Sequence, residues 1–418
     1  MPSPAQTAVS KPAISLVSSS LLAAVAGGLG GGLAALLMLG LDGLQSWVWG
    51  QSVSQGLANQ RPLIWCLAVP ALTGLLLSRL VWQGQRSLLP EFAETMAALR
   101  RNEPAPQRPG SGIRPILGSV LALVAGASLG PEALITYVVT RVSRLIWRGQ
   151  DQRVSVAAIS GSLALFQTPL VGPSVLLEQR GQLLWRWLPG TLAAVAGFVC
   201  FQGLQALGQG LEGVPYALPL ADGRAPTALL SALLGGLLGC GFGALLRLWR
   251  GWLHGLLERR RWPWAPLGTG IVLGLALWAL PLAAFSGEHQ IRPLVLGQWS
   301  LSPGLLILSG AAKLLLVGLC LETGWRGGQI FPVILGSGAI GLGLHALLPQ
   351  LGTAAIWGGS VVGGCLGLVI PSPLVALVLG LTLLRGHGAI ALLVGILISQ
   401  IARRIHGPAM PSRGSSTP

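Results

Sequence analysis

The stretch Gly126-Ala127-Ser128-Leu129-Gly130-Pro131-Glu132-Ala133 is a glycine-rich break that carries one carboxylate, with apolar sequence on both sides. The upstream run, Pro115 to Leu129, and the downstream run, Ala133 to Trp147, are both typical of membrane helices. The Gly-Pro pair breaks the helix between them, and a proline suits the first turn of the helix that follows. Glu132 is therefore predicted at a helix N-terminus deep in the bilayer.

A carboxylate at a helix N-terminus occupies a position that also attracts free anions. The unpaired backbone N–H groups at a helix N-terminus carry roughly half an elementary positive charge and attract anions. A side-chain carboxylate can occupy such a site and be displaced from it by a free anion. The alternative is that Glu132 only caps its helix, but an acidic residue within an apolar stretch is costly and usually functional. The pattern therefore predicts an anion gate at Glu132.

The composition of the chain places it in the membrane class. Apolar residues make up 52% of its 418 residues and charged residues only 9%, whereas a soluble domain carries about 25% charged residues. Apolar runs near the length of a membrane span recur, and the last is long enough for more than one helix. These runs are Ile14 to Leu41, Pro62 to Val81, Leu184 to Leu204, Thr227 to Leu246, Ala265 to Phe285, Pro303 to Leu321 and Ala354 to Leu384. The fold class predicted is an all-α polytopic membrane protein.

The net charge of +15 comes from basic residues that cluster between the apolar runs. This distribution is typical of cytoplasmic loops and does not resemble a nucleic-acid-binding face, which would interleave aromatic residues. It predicts a cell-membrane protein with both termini in the cytoplasm and no nucleic-acid partner. Residues 1–13 are predicted to be a disordered tail, and residues 403–418 a short cytoplasmic tail. The clustered residues are Arg100, Arg101, Arg108, Arg141, Arg144, Arg148, Arg153, Arg259, Arg260, Arg261, Arg403 and Arg404.

Cysteine and histidine residues give no support for metal or enzyme chemistry. The five cysteines lie inside apolar segments, and the five histidines are scattered, without metal-ligand spacing or a nucleophile–base arrangement. We therefore expect no cofactor, no resident metal and no enzymatic activity. The residues concerned are Cys66, Cys200, Cys240, Cys320 and Cys365, with His254, His289, His345, His387 and His406.

The predicted transmembrane domain, residues 14–402, divides into two halves, about 14–207 and 226–402, around a polar stretch. The second half contains its own glycine-rich break, Gly324-Trp325-Arg326-Gly327-Gly328-Gln329-Ile330-Phe331-Pro332. Broken helices at corresponding places in two halves indicate a binding site near the membrane midplane of an inverted-repeat transporter. Irregular backbone at that depth must be buried in protein or line a cavity. The two breaks are therefore expected to converge on one anion.

Several motifs, taken in order, resemble those of the CLC family of chloride channels and chloride/proton exchangers, over about residues 15–402. Gly130-Pro131-Glu132-Ala133 is similar to the family's G-R-E-G-P, and Gly328-Gln329-Ile330-Phe331-Pro332 fits G-x-[FI]-x-P. Phe166-Gln167-Thr168-Pro169-Leu170-Val171-Gly172 resembles F-x-x-P-L-A-G, and Lys313-Leu314-Leu315-Leu316 resembles the helix before the second motif. The resemblance implies an inverted repeat of tilted, broken helices, a homodimer with one pore per subunit, and the prokaryotic form without regulatory C-terminal domains.

The resemblance also implies roles for residues in these motifs. The segments Gly130-Pro131-Glu132 and Gly328 to Pro332 would form the anion site, where chloride binds the backbone amides of Gln329, Ile330 and Phe331 while Glu132 competes for the outer position. The family's G-S-G-I-P motif contributes a serine hydroxyl. Ser87, in a degenerate Arg86-Ser87-Leu88-Leu89-Pro90, is favoured over Ser111, which lies in a literal Gly-Ser-Gly-Ile within an Arg/Pro-rich loop.

Departures from the family pattern bear on the transport mechanism. The family's exchangers carry an inward-facing glutamate for proton relay, and Gln179 falls at that position, with Glu178 one residue earlier. Glutamine does not titrate. The family's C-terminal tyrosine has no counterpart. These departures predict a chloride channel gated by Glu132; a chloride/proton antiporter, or a transporter of another anion such as fluoride or nitrate, stays open as the alternative.

Two charged residues near the second break have local interpretations. Lys313 either extends to a membrane interface or raises the positive potential near the anion path. Glu322 lies four residues before Arg326, and this spacing predicts an ion pair along one helix.

Overall fold

A computed structural model of the protein describes residues 16–50, 61–82, 89–101, 103, 112–147, 152–177, 187–209, 225–260, 262–280, 282–295 and 301–406. Within these ranges the chain forms sixteen α-helices and one 3-10 turn, Leu163–Phe166, with no β-strand beyond an isolated bridge. The predicted all-α fold is confirmed. The helices are α1 (Leu16–Trp49), α2 (Leu63–Trp82), α3 (Phe92–Arg100), α4 (Arg114–Val124), α5 (Glu132–Ile146), α6 (Gln152–Ser162), α7 (Val171–Leu177), α8 (Trp187–Gln209), α9 (Ala225–Arg260), α10 (Ala265–Ala279), α11 (Glu288–Val295), α12 (Pro303–Thr323), α13 (Ile330–Leu347), α14 (Ala354–Val369), α15 (Pro373–Leu383) and α16 (Ala389–His406).

Six of the described helices are long and apolar enough to cross a membrane. Their candidate spans are Ser18–Trp49, Leu63–Leu80, Leu188–Leu207, Pro226–Arg260, Pro303–Thr323 and Ile330–Leu347. Large apolar side chains remain exposed along these helices, which gives the protein an outer surface that suits lipid. Examples are Leu21 and Leu36 of α1 and Leu230, Leu237 and Leu248 of α9.

Helix ends follow the glycine, proline and serine signals of the sequence. The helix expected to reach Leu129 ends at Val124, because Gly126 adopts a left-handed conformation (φ +90°) that an α-helix does not continue. The last apolar run is divided between α14 and α15. There the Ser372 hydroxyl accepts a hydrogen bond from Val375 N at 3.1 Å, capping α15 ahead of Pro373 in its first turn.

Among the described residues, α1–α8 precede the polar stretch and α9–α16 follow it, and the division into two repeated halves stays a prediction. The final helix continues to His406, four residues beyond the predicted boundary at residue 402. Close backbone approach joins helices within the first half: a Cβ on Gly27 would overlap the backbone of Ala193 of α8. Small residues at such crossings are the usual device for packing helices in membranes.

Candidate functional site

The two glycine-rich breaks, one from each half, meet in an antiparallel bridge. Gly130 N donates to Gly328 O at 2.8 Å, and Gly328 N donates to Gly130 O at 2.6 Å. This bridge joins the start of α5 to the start of α13, although almost 200 residues separate them in sequence. The N-termini of two helices from opposite halves therefore converge on one place, and the positive ends of both helix dipoles add there.

Glu132 lies at this meeting point as the first residue of α5, fully buried. Its Oε1 accepts a hydrogen bond from the backbone N–H of Ile330, the first residue of α13, at 2.7 Å. Its Oε2 is enclosed and has no hydrogen-bond partner among the described residues. A carboxylate from the first half thus occupies the anion-attracting end of a helix in the second half. Glu132 Oε1, which accepts from Ile330 N, lies where a free anion would bind.

The Glu132 carboxylate lies so close to the backbone on both sides that only glycine fits there. A Cβ on Gly130 would overlap Glu132 Oε2, and a Cβ on Gly328 would overlap the Glu132 carboxyl carbon. The backbone of the bridge therefore forms the wall of the carboxylate site, and any side chain there would fill it.

The other predicted residues of the two motifs surround this place. Pro131 is the N-cap residue of α5, and Gln329 that of α13. Phe331 and Pro332 lie in the first turn of α13 and are buried. The Phe331 ring stacks on Phe166, at 5.2 Å between centroids and 29° between planes. The motif that begins at Phe166 is thus brought against the anion motif. Ser87, Ser111, Glu178 and Gln179 lie outside the described residues.

A cavity of about 60 Å³ adjoins the start of α13. Ile330, whose N–H holds Glu132, lines this cavity, so the carboxylate site and the cavity share one residue. Most of the wall is apolar, and its polar members are Gln329, Ser372 and Arg100. The other lining residues are Phe92, Ala93, Met96, Ala97, Val369, Ile370 and Pro371.

Arg250, on α9, forms a polar network beside the cavity that the sequence motifs did not indicate. Its Nη2 donates to Glu91 Oε1 at 2.6 Å, its Nε to Glu322 Oε1 at 3.0 Å, and its Nη1 to Gln329 Oε1 at 3.2 Å. Glu322 also approaches His254, with Nδ1 and Oε2 3.4 Å apart. The only sequence signal for this network is an arginine within a long apolar helix, which is costly unless it has partners.

Lys313, on α12, is fully buried, so the interpretation that it extends to a membrane interface is wrong. Its Nζ donates to three backbone carbonyls, of Leu282 at 3.1 Å, Ala284 at 2.9 Å and Phe285 at 2.8 Å. The three carbonyls belong to a non-helical segment between α10 and α11, which has no helical donors for them. Phe285 N in turn donates to Gly126 O at 3.1 Å, so this segment is tied to the first break.

We expect Lys313→Met to lower the thermal stability of the protein. Methionine has a similar length but no donor, so three buried carbonyls lose their partner, at about 1–3 kcal/mol for each carbonyl left unpaired. The measurement is the melting temperature in detergent, followed by size-exclusion chromatography after heating. Leu315→Met, at a partly exposed position of the same helix, is the control. Equal melting temperatures for the two variants would contradict a structural role for the ammonium group.

Asp42, Glu288 and His289 form the one group of three potential metal-ligating residues among the described part of the chain, with ligand atoms within 4.8 Å of one another. His289 Nε2 lies 3.0 Å from Asp42 Oδ1 and 3.7 Å from Glu288 Oε1. Burial by itself would lower the pKa of His289, but the hydrogen bond to Asp42 and the charges of both carboxylates raise it to about 9. A charged histidine between two carboxylates accounts for this geometry. The expectation of no resident metal stays a prediction.

The raised pKa of His289 leads to a pH-dependent contribution to stability. An unfolded histidine titrates near pH 6.5, so the ion pair stabilises the fold fully below about pH 6.5 and this contribution is lost as pH rises through about 9. We expect Asp42→Asn to lower the melting temperature at pH 6 and to differ much less from wild type at pH 10. A gap between the two proteins that stays constant over this range would contradict the ion pair.

Comparison with known proteins agrees with this architecture. The family description "Voltage gated chloride channel" matches residues 72–404. Among curated proteins, the "Putative ion-transport protein YfeO" of Shigella flexneri is 29% identical over 325 residues, covering 74% of each chain. The protein of the same name from Escherichia coli O7:K1 is 28% identical over 373 residues, covering 85% of this chain and 83% of that one.

Solved structures share the fold at low sequence identity. A slow cyanobacterial Cl-/H+ antiporter superposes with a TM-score of 0.74 at 18% identity, over 94% of this chain and 95% of that chain. A CLC-type fluoride/proton antiporter superposes with a TM-score of 0.64 at 18% identity, over 92% and 95%. The family match, the shared fold and the paired helix N-termini agree with one another, and the chain belongs to the voltage-gated chloride channel (CLC) family of membrane ion-transport proteins.

Proposed function

We propose that the protein exchanges chloride for protons across the cell membrane, with Glu132 as the group that carries the proton at the anion site. The observation that carries the proposal is the hydrogen bond from Ile330 N to Glu132 Oε1, at the N-terminus of α13. A buried carboxylate held by a helix N-terminus lets the carboxylate and a free anion compete for the same N–H donor, and a proton on the carboxylate decides which of them holds it.

The competition follows from hydrogen-bond chemistry. An ionised carboxylate accepts from the Ile330 N–H and benefits from the positive end of the helix dipole. Once protonated, the carboxyl group loses its charge and with it most of this attraction, so it leaves the site to chloride. Departure of chloride restores the site to the ionised carboxylate. The ionised carboxylate and chloride therefore alternate at one position, and each change between them is linked to the protonation of Glu132, which couples the anion movement to the proton movement.

The comparisons favour proton-coupled exchange over the channel that the sequence predicted. Two of the solved structures that share this fold are described as antiporters, one of Cl- and H+ and one of fluoride and protons. The prediction of a channel rested on Gln179 and on the missing tyrosine. Gln179 lies outside the described residues, so the effect of its missing titratable group stays a prediction. Backbone N–H donors also attract an anion without holding it as tightly as a full cation would, and this suits turnover.

The test uses purified protein in liposomes loaded with high chloride and diluted into low chloride, with voltage set by potassium and valinomycin. Exchange predicts that chloride efflux drives protons inward against their gradient, which a pH electrode records. Chloride efflux without proton movement would identify an uncoupled channel instead. Proton movement driven by fluoride or nitrate but not by chloride would mean that the exchanged anion is fluoride or nitrate.

The proposal includes a homodimer with both termini in the cytoplasm. Dimeric assembly is typical of the family, and the basic residues clustered between the apolar runs favour cytoplasmic loops. Chemical cross-linking in liposomes would reveal the dimer as a doubled mass. Protease protection of an epitope fused to either terminus, in inside-out and right-side-out vesicles, would establish the orientation.

A further inference from the structure

We infer that the side-chain amide of Gln329 is an anion ligand in the cavity beside Ile330, and that Arg250 is the positioning residue that turns its N–H donors toward that cavity. The inference rests on the proposed function, because it concerns the approach of the anion to the same site. It assigns Gln329 a side-chain role in addition to the backbone amide that its motif implies.

The orientation of the Gln329 amide is fixed by its partner. Arg250 Nη1 lies 3.2 Å from Gln329 Oε1, and a guanidinium group has donors only. The amide oxygen must therefore face Arg250, and the Nε2 group, with its two N–H bonds, lies on the other side. Gln329 lines the cavity, and its Nε2 makes no hydrogen bond to any residue that the structure describes. Two oriented donors are thus left for a ligand in the cavity.

Arg250 is not itself the anion ligand. Its guanidinium group contacts two carboxylates, of Glu91 and Glu322, in addition to Gln329. Two negative charges around one positive charge leave no attraction for a third anion. The bonds to Glu91 and Glu322 instead hold the guanidinium group in one place, so that its remaining N–H fixes the amide.

The chemistry of the cavity suits a small anion with part of its water shell. A volume of about 60 Å³ leaves room for an anion with a few water molecules, since about 10–15 Å³ of such volume is enough to hold one water. Ser372 Oγ accepts from Val375 N, which leaves its hydroxyl hydrogen as a donor at the same wall. Arg100 adds a positive charge to the lining. An anion surrounded by apolar residues needs such donors, and neutral ones bind it without trapping it.

The first test replaces Gln329 with leucine, which keeps the side-chain size and removes both donors. We expect the chloride concentration for half-maximal flux in proteoliposomes to rise about tenfold or more, since each lost bond to an anion costs roughly that factor. The melting temperature should stay within a few degrees of wild type. The matched control is Gln400→Leu on α16, which removes an amide that donates to Gly367 O of α14.

The second test distinguishes a positioning role of Arg250 from a purely structural one. Arg250→Lys keeps the charge but cannot hold three partners in the fork of a guanidinium group, so the amide is free to turn. We expect this variant to weaken chloride affinity, and we expect the double variant with Gln329→Leu to be no weaker than Gln329→Leu alone. Additive losses would overturn the positioning role.

Chloride titration by calorimetry in detergent completes the design, because it reads binding without transport. An unchanged chloride affinity in Gln329→Leu, with wild-type flux intact, would overturn this inference and leave the proposed function standing. Wild-type protein that neither binds nor transports chloride would overturn the proposed function and the inference together.

Discussion

Replacing Glu132 with alanine is expected to abolish proton transport while chloride flux continues and loses its dependence on pH. The carboxylate is the ionisable group that accepts from Ile330 N at the start of α13. Without it the helix N-terminus stays open to the anion at every pH, and no proton acceptor remains at that position. Proton movement in the proteoliposome assay should fall to the level of protein-free liposomes.

Glutamine at the same position gives a sharper comparison than alanine. The amide oxygen of Glu132→Gln can still accept from the Ile330 N–H, but the side chain cannot exchange a proton. Proton transport should therefore be absent in both variants, and chloride flux should continue in both, since a neutral amide, like the protonated carboxyl group, yields the site to chloride. Glu258→Gln, an exposed carboxylate on α9, is the control and should behave as wild type. Chloride flux as pH-dependent in Glu132→Ala as in wild type would contradict the gating role.

Replacing Gly328 with alanine is expected to displace the Glu132 carboxylate and to lower both proton transport and chloride flux. The added methyl group would overlap the Glu132 carboxyl carbon and Oε1. The φ angle of Gly328 is not in the left-handed region, so alanine adopts its backbone without strain and the bridge to Gly130 can persist. The methyl group thus takes the place of the carboxylate, which is also the place of a bound anion, so neither group can hold the Ile330 N–H as before.

The double variant tests this explanation directly. With alanine at position 132 the colliding carboxylate is gone, but the methyl group at position 328 still fills the place of the anion, so Gly328→Ala should lower chloride flux in the Glu132→Ala background as well. Gly304→Ala, on α12, is the control, because a Cβ there meets no atom within 4 Å. Chloride flux in the double variant equal to that of Glu132→Ala would mean that the methyl group acts only on the carboxylate and leaves the anion site open.

The sequence by itself determined the class of the protein and the places where its helices break. Long apolar runs with few charges require helices in a membrane, because only a helix satisfies its own backbone there. The breaks at Gly130-Pro131 and at Gly327-Gly328 are local effects of glycine and proline, so they could be placed before the structure was known. Glu132 was identified for the same reason, since a single carboxylate in apolar sequence is conspicuous.

Only the tertiary structure decided how these local features meet. The bridge between Gly130 and Gly328, and the hydrogen bond from Ile330 to Glu132, join residues almost 200 positions apart. Hydropathy and helix-breaking signals act over a few residues and carry no information about such pairs. The same limit applied to Lys313, whose three carbonyl partners lie in a segment about 30 residues earlier in the chain.

The contacts of Arg250 are the clearest example of pairs that the sequence alone did not indicate. Helical spacing suggested Arg326 as an ion-pair partner of Glu322, and that pair stays a prediction. The folded chain also brings Arg250 and His254 of α9 to Glu322, from about 70 residues away. A buried charge is stabilised by whichever opposite charges the packed helices bring to it, and helix packing depends on the whole set of side-chain shapes. The sequence therefore determined the helices, their breaks and the carboxylate of the anion site. The packing of the two halves decided which donors and charges surround that carboxylate.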